Sequence, residues 1–261
     1  MTVHFYKYQG TGNDFILVDN RDNSFALTTE QIRHLCDRRF GIGADGLMTL
    51  NEKEGYDFEM KYYNSDGREG SMCGNGGRCI VKFAYHLGVH RALYRFLAAD
   101  GDHEAEIDIS GIVSLKMKNV QKITKYHNDF VLDTGSPHYV KLVGNVMQLD
   151  VYKKGHEIRN SKDFRESGIN VNFVEQDINN DKITVRTFER GVENETYSCG
   201  TGVTASALVC YHNEIGFNEV EVKTLGGKLT VEFDRTEDDQ FNNIWLCGPA
   251  ERVFEGEITF E

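Results

Sequence analysis

Two short segments combine a cysteine with closely spaced glycines, and these residue types could carry acid–base chemistry. They are Cys73-Gly74-Asn75-Gly76-Gly77-Arg78 and Cys199-Gly200-Thr201-Gly202-Val203-Thr204. Apolar residues at helical spacing follow each segment, which predicts that each cysteine lies at the start of a helix. At that position the helix dipole and the unpaired backbone N–H groups favour the thiolate, so we expect the thiol pKa to fall toward neutrality.

The glycines beside each thiol allow backbone N–H groups to approach a bound anion closely. Two such helix starts that face each other would hold a substrate carboxylate with one thiol on each face of the adjacent carbon. One thiolate could then remove the α-proton, while the other thiol returns a proton to the opposite face. The N–H groups would stabilise the intermediate carbanion. The sequence therefore predicts an isomerase that needs no cofactor and no metal, in which Cys73 and Cys199 invert the α-carbon of an amino acid.

The spacing of the two segments indicates an internal repeat. The cysteines are 199 − 73 = 126 residues apart, close to half of the 261-residue chain. The same offset relates Glu69 to Glu195, Tyr85-His86 to Tyr211-His212, and Gly101 to Gly227. A constant offset over several features favours two copies of one unit, and two pseudo-equivalent domains fit this better than a solenoid.

The elements that must position the cysteines follow from the residue patterns. Strands are predicted at 57–63 and 182–189, upstream of the two helices, and short β-rich runs follow at 103–109, 113–118, 219–224 and 228–233. The two helices are expected to end at Gly88 and Gly216. A further helix is predicted from a capping box at Thr28 and Gln31 to about Gly41. Its expected buried stripe is Ile32, Leu35, Cys36 and Phe40.

Composition narrows the functional class. Asp and Glu outnumber Lys and Arg by 41 to 29, for a net charge of −12, which argues against a nucleic-acid partner. The sequence has no apolar run of membrane-spanning length and no export signal, so we expect a cytoplasmic protein that does not bind a membrane. Six scattered cysteines do not suggest a disulfide framework.

The cysteines and glycines could also have structural roles or belong to other kinds of binding site. Cys36, Cys79, Cys210 and Cys247 have apolar neighbours and are interpreted as buried core residues. Structural zinc is disfavoured because no Cys-x-x-Cys pair or close histidine pair is present. The glycine segments also lack the spacing of a P-loop or a dinucleotide-binding motif.

Five segments closely resemble the diaminopimelate epimerase family, whose members convert LL-diaminopimelate to the meso form. The segments are GTGNDFILVDN at 10–20, NSDGREGSMCGNGGRC at 64–79, GSPH at 135–138, NVNF at 170–173 and ERGVENETYSCGTGVT at 189–204, with GPAERVFEGEI near the end. They occur in family order along nearly the whole chain. The resemblance implies an α/β (α+β) fold of two pseudo-symmetric domains, each a β-barrel-like sheet around a central helix. We expect residues 1–118 with 252–261 to carry Cys73, and residues 119–251 to carry Cys199.

The resemblance also implies the roles of individual residues. Cys73 and Cys199 would be the acid–base pair, and Gly74-Asn75 and Gly200-Thr201 would hold the reacting carboxylate. The remaining substrate contacts would be Asn13, Asn64, Asn172, Glu189 and Arg190, with His138 as a supporting group. An Arg can grip a carboxylate through two hydrogen bonds, so Arg190 is expected at the distal end of the substrate. The resemblance further implies a homodimer and a place in lysine and cell-wall precursor biosynthesis.

Two departures from the family pattern leave the substrate open. This chain has Ser136 where many members have Asn, and Gly46 where many have Gln or a similar polar residue. One alternative is a related two-cysteine racemase, or an isomerase of the phenazine type. The paired cysteines argue against the phenazine type, and Arg190 favours a substrate with a second charged head group. A non-enzymatic thiol redox or binding module is the other alternative.

Overall fold

The computed structural model describes residues 2–177, 182–210, 215–237 and 240–260. The helices are α1 (Thr29–Cys36), α2 (Gly74–His86), α3 (Val151–Arg159) and α4 (Gly200–Cys210), with a 3₁₀ turn at Val146–Gln148. The strands are β1 (Thr2–Gly10), β2 (Asn13–Asp19), β3 (Gly46–Asn51), β4 (Phe58–Asn64), β5 (Glu69–Gly70), β6 (Tyr94–Ala98), β7 (Gly101–Ile107), β8 (Val113–Lys116), β9 (Thr124–Tyr126), β10 (Asp129–Asp133), β11 (Pro137–Leu142), β12 (Asn170–Asp177), β13 (Lys182–Glu189), β14 (Asn194–Thr196), β15 (Gly216–Thr224), β16 (Gly227–Arg235), β17 (Phe241–Gly248) and β18 (Glu251–Thr259). The described helices are all too short or too polar to cross a membrane.

The chain divides into two compact units. Unit 1 contains residues 1–115 and 249–261, and unit 2 contains residues 116–248. Each unit wraps strands around one helix that is buried over most of its length, α2 in unit 1 and α4 in unit 2. Burial on nearly all sides explains why both helices begin with small residues, because glycines allow the surrounding strands to approach the helix backbone.

The strand pairings of the two units follow the same sequence. In unit 1, β2 is parallel to β3, β3 antiparallel to β4, β4 parallel to β6, and β6 antiparallel to β7. In unit 2, β11 is parallel to β12, β12 antiparallel to β13, β13 parallel to β15, and β15 antiparallel to β16. The short strands β5 and β14 pair with β4 and β13 in corresponding places. The central helices start at residues 74 and 200, again 200 − 74 = 126 residues apart.

Three of the predicted helices are present in the structure. Both cysteine segments open helices, which confirms that prediction. The helix from Thr28 is confirmed with its capping box, and Ile32, Leu35 and Cys36 are buried.

Three details differ from the prediction or cannot be compared with it. The helix after Thr28 already ends at Cys36, so Phe40 lies beyond it and is 77% exposed, and its predicted burial is wrong. Gly216 has a positive φ and is the first residue of β15, whereas α4 is described only to Cys210, and residues 211–214 between them lie outside the described residues. The expected match at Tyr211-His212 lies outside the described residues.

Candidate active site

In unit 1, Cys73 is the N-cap residue of α2. Its backbone is extended, with φ −115° and ψ 152°, and its Sγ accepts a hydrogen bond from the backbone N–H of Gly76 at 3.2 Å. Ser, Thr, Asn and Asp usually fill this position, because their side-chain oxygen satisfies one of the exposed N–H groups. Here a sulfur atom takes that role, so the thiol lies at the positive end of the helix dipole.

Two asparagine side chains lie beside the Cys73 thiol. The Cys73 Sγ is 3.8 Å from Asn13 Oδ1, to which it can donate, and Asn75 Nδ2 donates to the same oxygen at 3.4 Å. Asn13 Nδ2 in turn donates to Asp45 Oδ2 at 2.5 Å. This bond fixes the orientation of the Asn13 amide, since only its oxygen is left to face the thiol.

A buried arginine fixes the orientation of Asn75. Arg78 is fully buried and donates from Nη2 to Asn75 Oδ1 at 3.0 Å and to Thr11 Oγ1 at 3.1 Å, and from Nη1 to the Gly74 carbonyl at 3.3 Å. Thr11 Oγ1 also donates to Asn75 Oδ1. Because Asn75 Oδ1 accepts hydrogen bonds from Arg78 and Thr11, the Nδ2 group of Asn75 is directed toward Asn13. Sequence analysis missed Arg78, since a cation inside a helix gives no signal of its contacts.

Ion pairs stabilise the loop that contains Asp45, whose carboxylate accepts the hydrogen bond from Asn13. Arg38 pairs with Asp14 at 2.6 Å and with Asp45 at 2.7 Å, and Lys7 pairs with Asp14 at 2.6 Å. Burial alone would raise the pKa of Asp14, but hydrogen bonds from Arg38 and Lys7 outweigh it and lower the pKa. The carboxylate of Asp14 is therefore kept ionised in its partly buried position.

One face of β3 and β4 lies against the start of α2. A Cβ atom added at Gly76 would meet Met48 Sδ at 3.2 Å and Cys73 Sγ at 3.3 Å. Met48 pairs with Tyr62 and Gly46 pairs with Asn64, so these four residues share that face. Asn64 is exposed at the end of β4, and a Cβ at Gly70 would meet its Nδ2 at 2.6 Å. Unit 1 thus brings Asn13, Cys73, Gly74 and Asn75 together, with Asn64 on the adjoining strand pair.

In unit 2, Cys199 holds the equivalent position before α4. Its carbonyl accepts the first helical hydrogen bond, from Val203 N–H at 2.8 Å, and the residue is 8% exposed. Its Sγ lies 3.5 Å from Thr201 Oγ1. The Thr201 carbonyl accepts from Thr134 Oγ1 at 2.9 Å, which ties the first turn of α4 to the loop before β11.

His138 and Asn172 form a buried neutral pair beneath α4. Asn172 Nδ2 lies 3.1 Å from His138 Nδ1 and donates to the Tyr139 carbonyl at 3.1 Å, while its Oδ1 accepts from Thr187 at 2.9 Å. Burial, together with the charge of Arg190, lowers the pKa of His138 to about 3, so the imidazole is neutral. Asn172 Oδ1 also lies so close to Gly202 that a Cβ there would overlap it. Both side chains therefore support the helix start from below.

The outer part of the unit 2 site contains Glu189 and Arg190. The Arg190 guanidinium donates to Ser136 Oγ at 3.3 Å and to the Ser167 carbonyl at 3.2 Å. Glu189 Oε2 accepts from Thr196 at 2.9 Å. Asn170, which sequence analysis missed, donates to Ser136 Oγ at 2.9 Å and accepts from Arg190 N–H at 2.9 Å. Its signal was its place in the same NVNF segment as Asn172.

The other cysteines are core residues. Cys36, Cys79, Cys210 and Cys247 are all buried, and the cysteines are reduced. Burial raises the pKa of the Cys36 and Cys210 thiols to about 12, and it raises that of Cys79 as well. These thiols stay protonated, which matches their interpretation as small hydrophobic side chains. Within the part of the chain that the structure describes, no group of three His, Cys, Asp or Glu could hold a metal ion.

The chain is similar to known proteins over its whole length. A sequence model of the diaminopimelate epimerase family matches residues 5–123 and 130–253. A diaminopimelate epimerase of Flavobacterium psychrophilum is 49% identical over 258 residues, covering 98% of this chain and 100% of the relative. One of Chlorobaculum tepidum is 45% identical over 260 residues, covering 96% and 99%.

A solved structure shares the fold. The phenazine biosynthesis protein of the PhzF family from Bacillus anthracis matches with a TM-score of 0.77 at 15% identity, covering 100% of both chains. This likeness confirms the expected α/β fold. The family match covers most of the chain and the curated relatives are close to half identical, so this protein belongs to the diaminopimelate epimerase family.

Proposed function

We propose that this protein is an isomerase that interconverts LL- and meso-diaminopimelate by proton transfer at one α-carbon, with no cofactor. Membership of the family supports the substrate. The observation that carries the mechanism is that Cys73 and Cys199 each lie immediately before the first residue of a buried helix, in two units with the same order of strand pairings. A thiol in that position is a candidate acid or base near neutral pH.

The proposed reaction uses the two thiols in turn. One cysteine, as thiolate, removes the α-proton, and the other, as thiol, protonates the opposite face of the resulting carbanion. The backbone N–H groups of Gly74-Asn75 and Gly200-Thr201 hold the adjacent carboxylate, where negative charge develops. In the reverse direction the two cysteines exchange roles, so both epimers are substrates.

The remaining residues divide into contacts and supports. Asn13 and Asn64 in unit 1, and Glu189 and Arg190 in unit 2, are proposed to contact the substrate. Arg190 suits the distal carboxylate, since its charge is partly exposed beside Ser136.

Two buried side chains are given supporting roles. The amide of Asn172 bonds to protein groups, so we propose that it acts with His138 by holding the α4 start in place. We propose that Asn170 positions Ser136 and Arg190, because its side chain bonds to both.

Solvent exchange tests this function directly. In heavy water the wild-type protein should place deuterium at an α-carbon of diaminopimelate while the epimers interconvert, which mass spectrometry and chiral chromatography measure. Cys73→Ala and Cys199→Ala should each abolish inversion, because a two-base reaction needs both thiols. Cys210→Ala removes a core thiol of unit 2 and is the matched control.

Two outcomes would contradict the proposal. If the Cys73→Ala or the Cys199→Ala variant still inverted diaminopimelate, the replaced thiol would not be the acid or base of the reaction. Exchange with proline or another amino acid, but none with diaminopimelate, would favour the related racemase.

Organisation and location are proposed with the function. Units 1 and 2 support a two-domain enzyme, and we propose that it forms a homodimer, which light scattering of the purified protein can test. Six reduced cysteines suit a reducing compartment, so we propose a cytoplasmic enzyme that works in lysine and cell-wall precursor biosynthesis.

A further inference from the structure

The phenol ring of Tyr62 occupies the space beside Gly46. A Cβ atom added at Gly46 would meet Tyr62 Cε2 at 2.5 Å, the backbone carbonyl oxygen of Tyr63 at 2.6 Å and the Tyr62 hydroxyl oxygen at 2.7 Å. The ring also packs edge-on against the buried Phe15, with centroids 6.1 Å apart and planes at 77°. A side chain at position 46 and this placement of Tyr62 therefore exclude each other. Because position 46 is a glycine, the Tyr62 ring can lie over β3 at that position. Its hydroxyl group occupies the space that a side chain at position 46 would fill.

The Tyr62 hydroxyl lies within hydrogen-bonding reach of the Asp45 carbonyl. Tyr62 donates to the backbone carbonyl of Asp45 at 3.5 Å. A phenol has one proton and accepts through its lone pairs. When that proton points to the Asp45 carbonyl, the hydroxyl oxygen can accept a hydrogen bond from a ligand through a lone pair. An ammonium group suits this position better than a carboxylate does, because the Asp45 carbonyl oxygen can only accept a hydrogen bond. The Asp45 carbonyl is a second acceptor at the same point.

The strand register gives the distance along β3 between this point and Met48, the residue of β3 that lies near the thiol. Met48 lies beside Gly76 and Cys73 under the start of α2, and Gly46 is two residues further along β3. Two residues of a strand span about 7 Å. That separation is too long for a group on the carbon next to the thiol. It suits a group at the far end of a substrate whose two amino-acid heads are joined by three methylene groups.

We propose that the Tyr62 hydroxyl and the Asp45 carbonyl accept hydrogen bonds from the distal ammonium group of the substrate, making Tyr62 a specificity-determining residue. This inference rests on the proposed function. It also explains how this chain can have a glycine at position 46, where many family members have a polar side chain. In this chain the polar group comes from the neighbouring strand β4.

Removing only the hydroxyl tests this assignment. Tyr62→Phe should raise the KM for diaminopimelate about tenfold, because a hydrogen bond to a charged group is lost, and should leave kcat nearly unchanged. Tyr63→Phe is the matched control: it removes a hydroxyl from the next residue of β4, whose ring packs with Phe25 beside the core of unit 1. That variant should keep the wild-type KM.

An analogue separates an ammonium contact from a general effect on the site. The probe is 2-aminopimelate, which has the second carboxylate but no second ammonium group, used as a competitive inhibitor. Its Ki should be the same for wild type and Tyr62→Phe. An equal loss for substrate and analogue, or an unchanged KM in Tyr62→Phe, would overturn the role of Tyr62 in an active enzyme. A wild-type protein without α-proton exchange would instead overturn the proposed function itself.

Discussion

The two cysteines occupy equivalent helix starts, but the residues beneath them differ in charge. Under α2, the fully buried Arg78 bonds to Gly74, Asn75 and Thr11, and ion pairs hold the neighbouring loop. At the equivalent position of α4, 204 − 78 = 126 residues later, stands Thr204, whose hydroxyl donates to the Gly200 carbonyl at 3.0 Å. Beneath α4 lie the neutral side chains of His138 and Asn172.

This difference shows that one backbone arrangement can be supported in two ways. In unit 1 a cation orients an amide beside the thiol. In unit 2 close packing against a glycine sets the helix start. Unit 1 should therefore be sensitive to loss of charge, and unit 2 to added volume and to protonation.

The largest expected effect is in unit 1. Arg78→Met should lower the free energy of unfolding by about 3 kcal/mol, because it leaves the buried acceptors Asn75 Oδ1 and Gly74 O without a charged donor. Inversion activity should fall as well, since the Asn75 amide is no longer held. Thr204→Val, the equivalent change in unit 2, should cost less than about 1 kcal/mol, because it removes a single hydrogen bond within the helix. Urea unfolding monitored by circular dichroism measures both, and equal losses would contradict the comparison.

A second pair of variants reverses the order of sensitivity. Gly202→Ala should cost about 2 kcal/mol, because the new methyl group overlaps the buried Asn172 amide, which cannot move without breaking its hydrogen bonds. Gly76→Ala, at the equivalent position of α2, should cost less than about 1 kcal/mol, since its nearest neighbours include the flexible Met48 and Met60 side chains. Thermal unfolding of the two variants provides the measurement. A larger loss for Gly76→Ala would show that unit 1 is the more tightly packed.

A third expected effect is on the pH dependence of stability. The unfolded chain binds a proton at His138 below about pH 6.5, whereas burial keeps the folded pKa at about 3. Stability should therefore fall as the pH drops from 6.5 toward 3, by up to about 1.4 kcal/mol per pH unit from this residue. In unit 1 the lowered pKa of Asp14 means that its contribution is lost only below about pH 3.8.

Replacement of His138 isolates its contribution to the pH dependence of stability. His138→Gln should show a smaller decrease in unfolding temperature between pH 7 and pH 5 than the wild type. His34→Gln changes an exposed histidine of α1 and is the control. Identical pH dependence in wild type and His138→Gln would rule out the neutral imidazole as the cause.

Local patterns were sufficient to predict the central helices and several strands. The capping box at Thr28 and the glycines after Cys73 and Cys199 act through their immediate neighbours, so their consequences can be read from sequence. The end of α1 was misjudged because Asp37 ends the helix: its side chain accepts from the N–H groups of Arg39 and Phe40, which turns Phe40 to solvent.

Contacts between distant residues could not be predicted in this way. Asn170 and Asn172 lie on the same face of β12, so alternation does not distinguish them. The register with β11 does, since it pairs Asn170 with His138 and Asn172 with Val140. Likewise, nothing near Arg78 in the sequence indicates Thr11, and nothing near Gly46 indicates that a tyrosine sixteen residues later fills its space. Such pairs depend on how the strands assemble.

The pairing of β1 with β18 has a consequence for biosynthesis. Thr2 lies opposite Thr259, so β1 finds this partner only in a strand that is translated 259 − 2 = 257 residues later. Unit 2 is one continuous stretch, residues 116–248, and all of it emerges earlier. Unit 2 can therefore fold during translation, whereas the edge of β1 that pairs with β18 stays open until β18 has been made, and in that interval unit 1 is most exposed to chaperones and proteases.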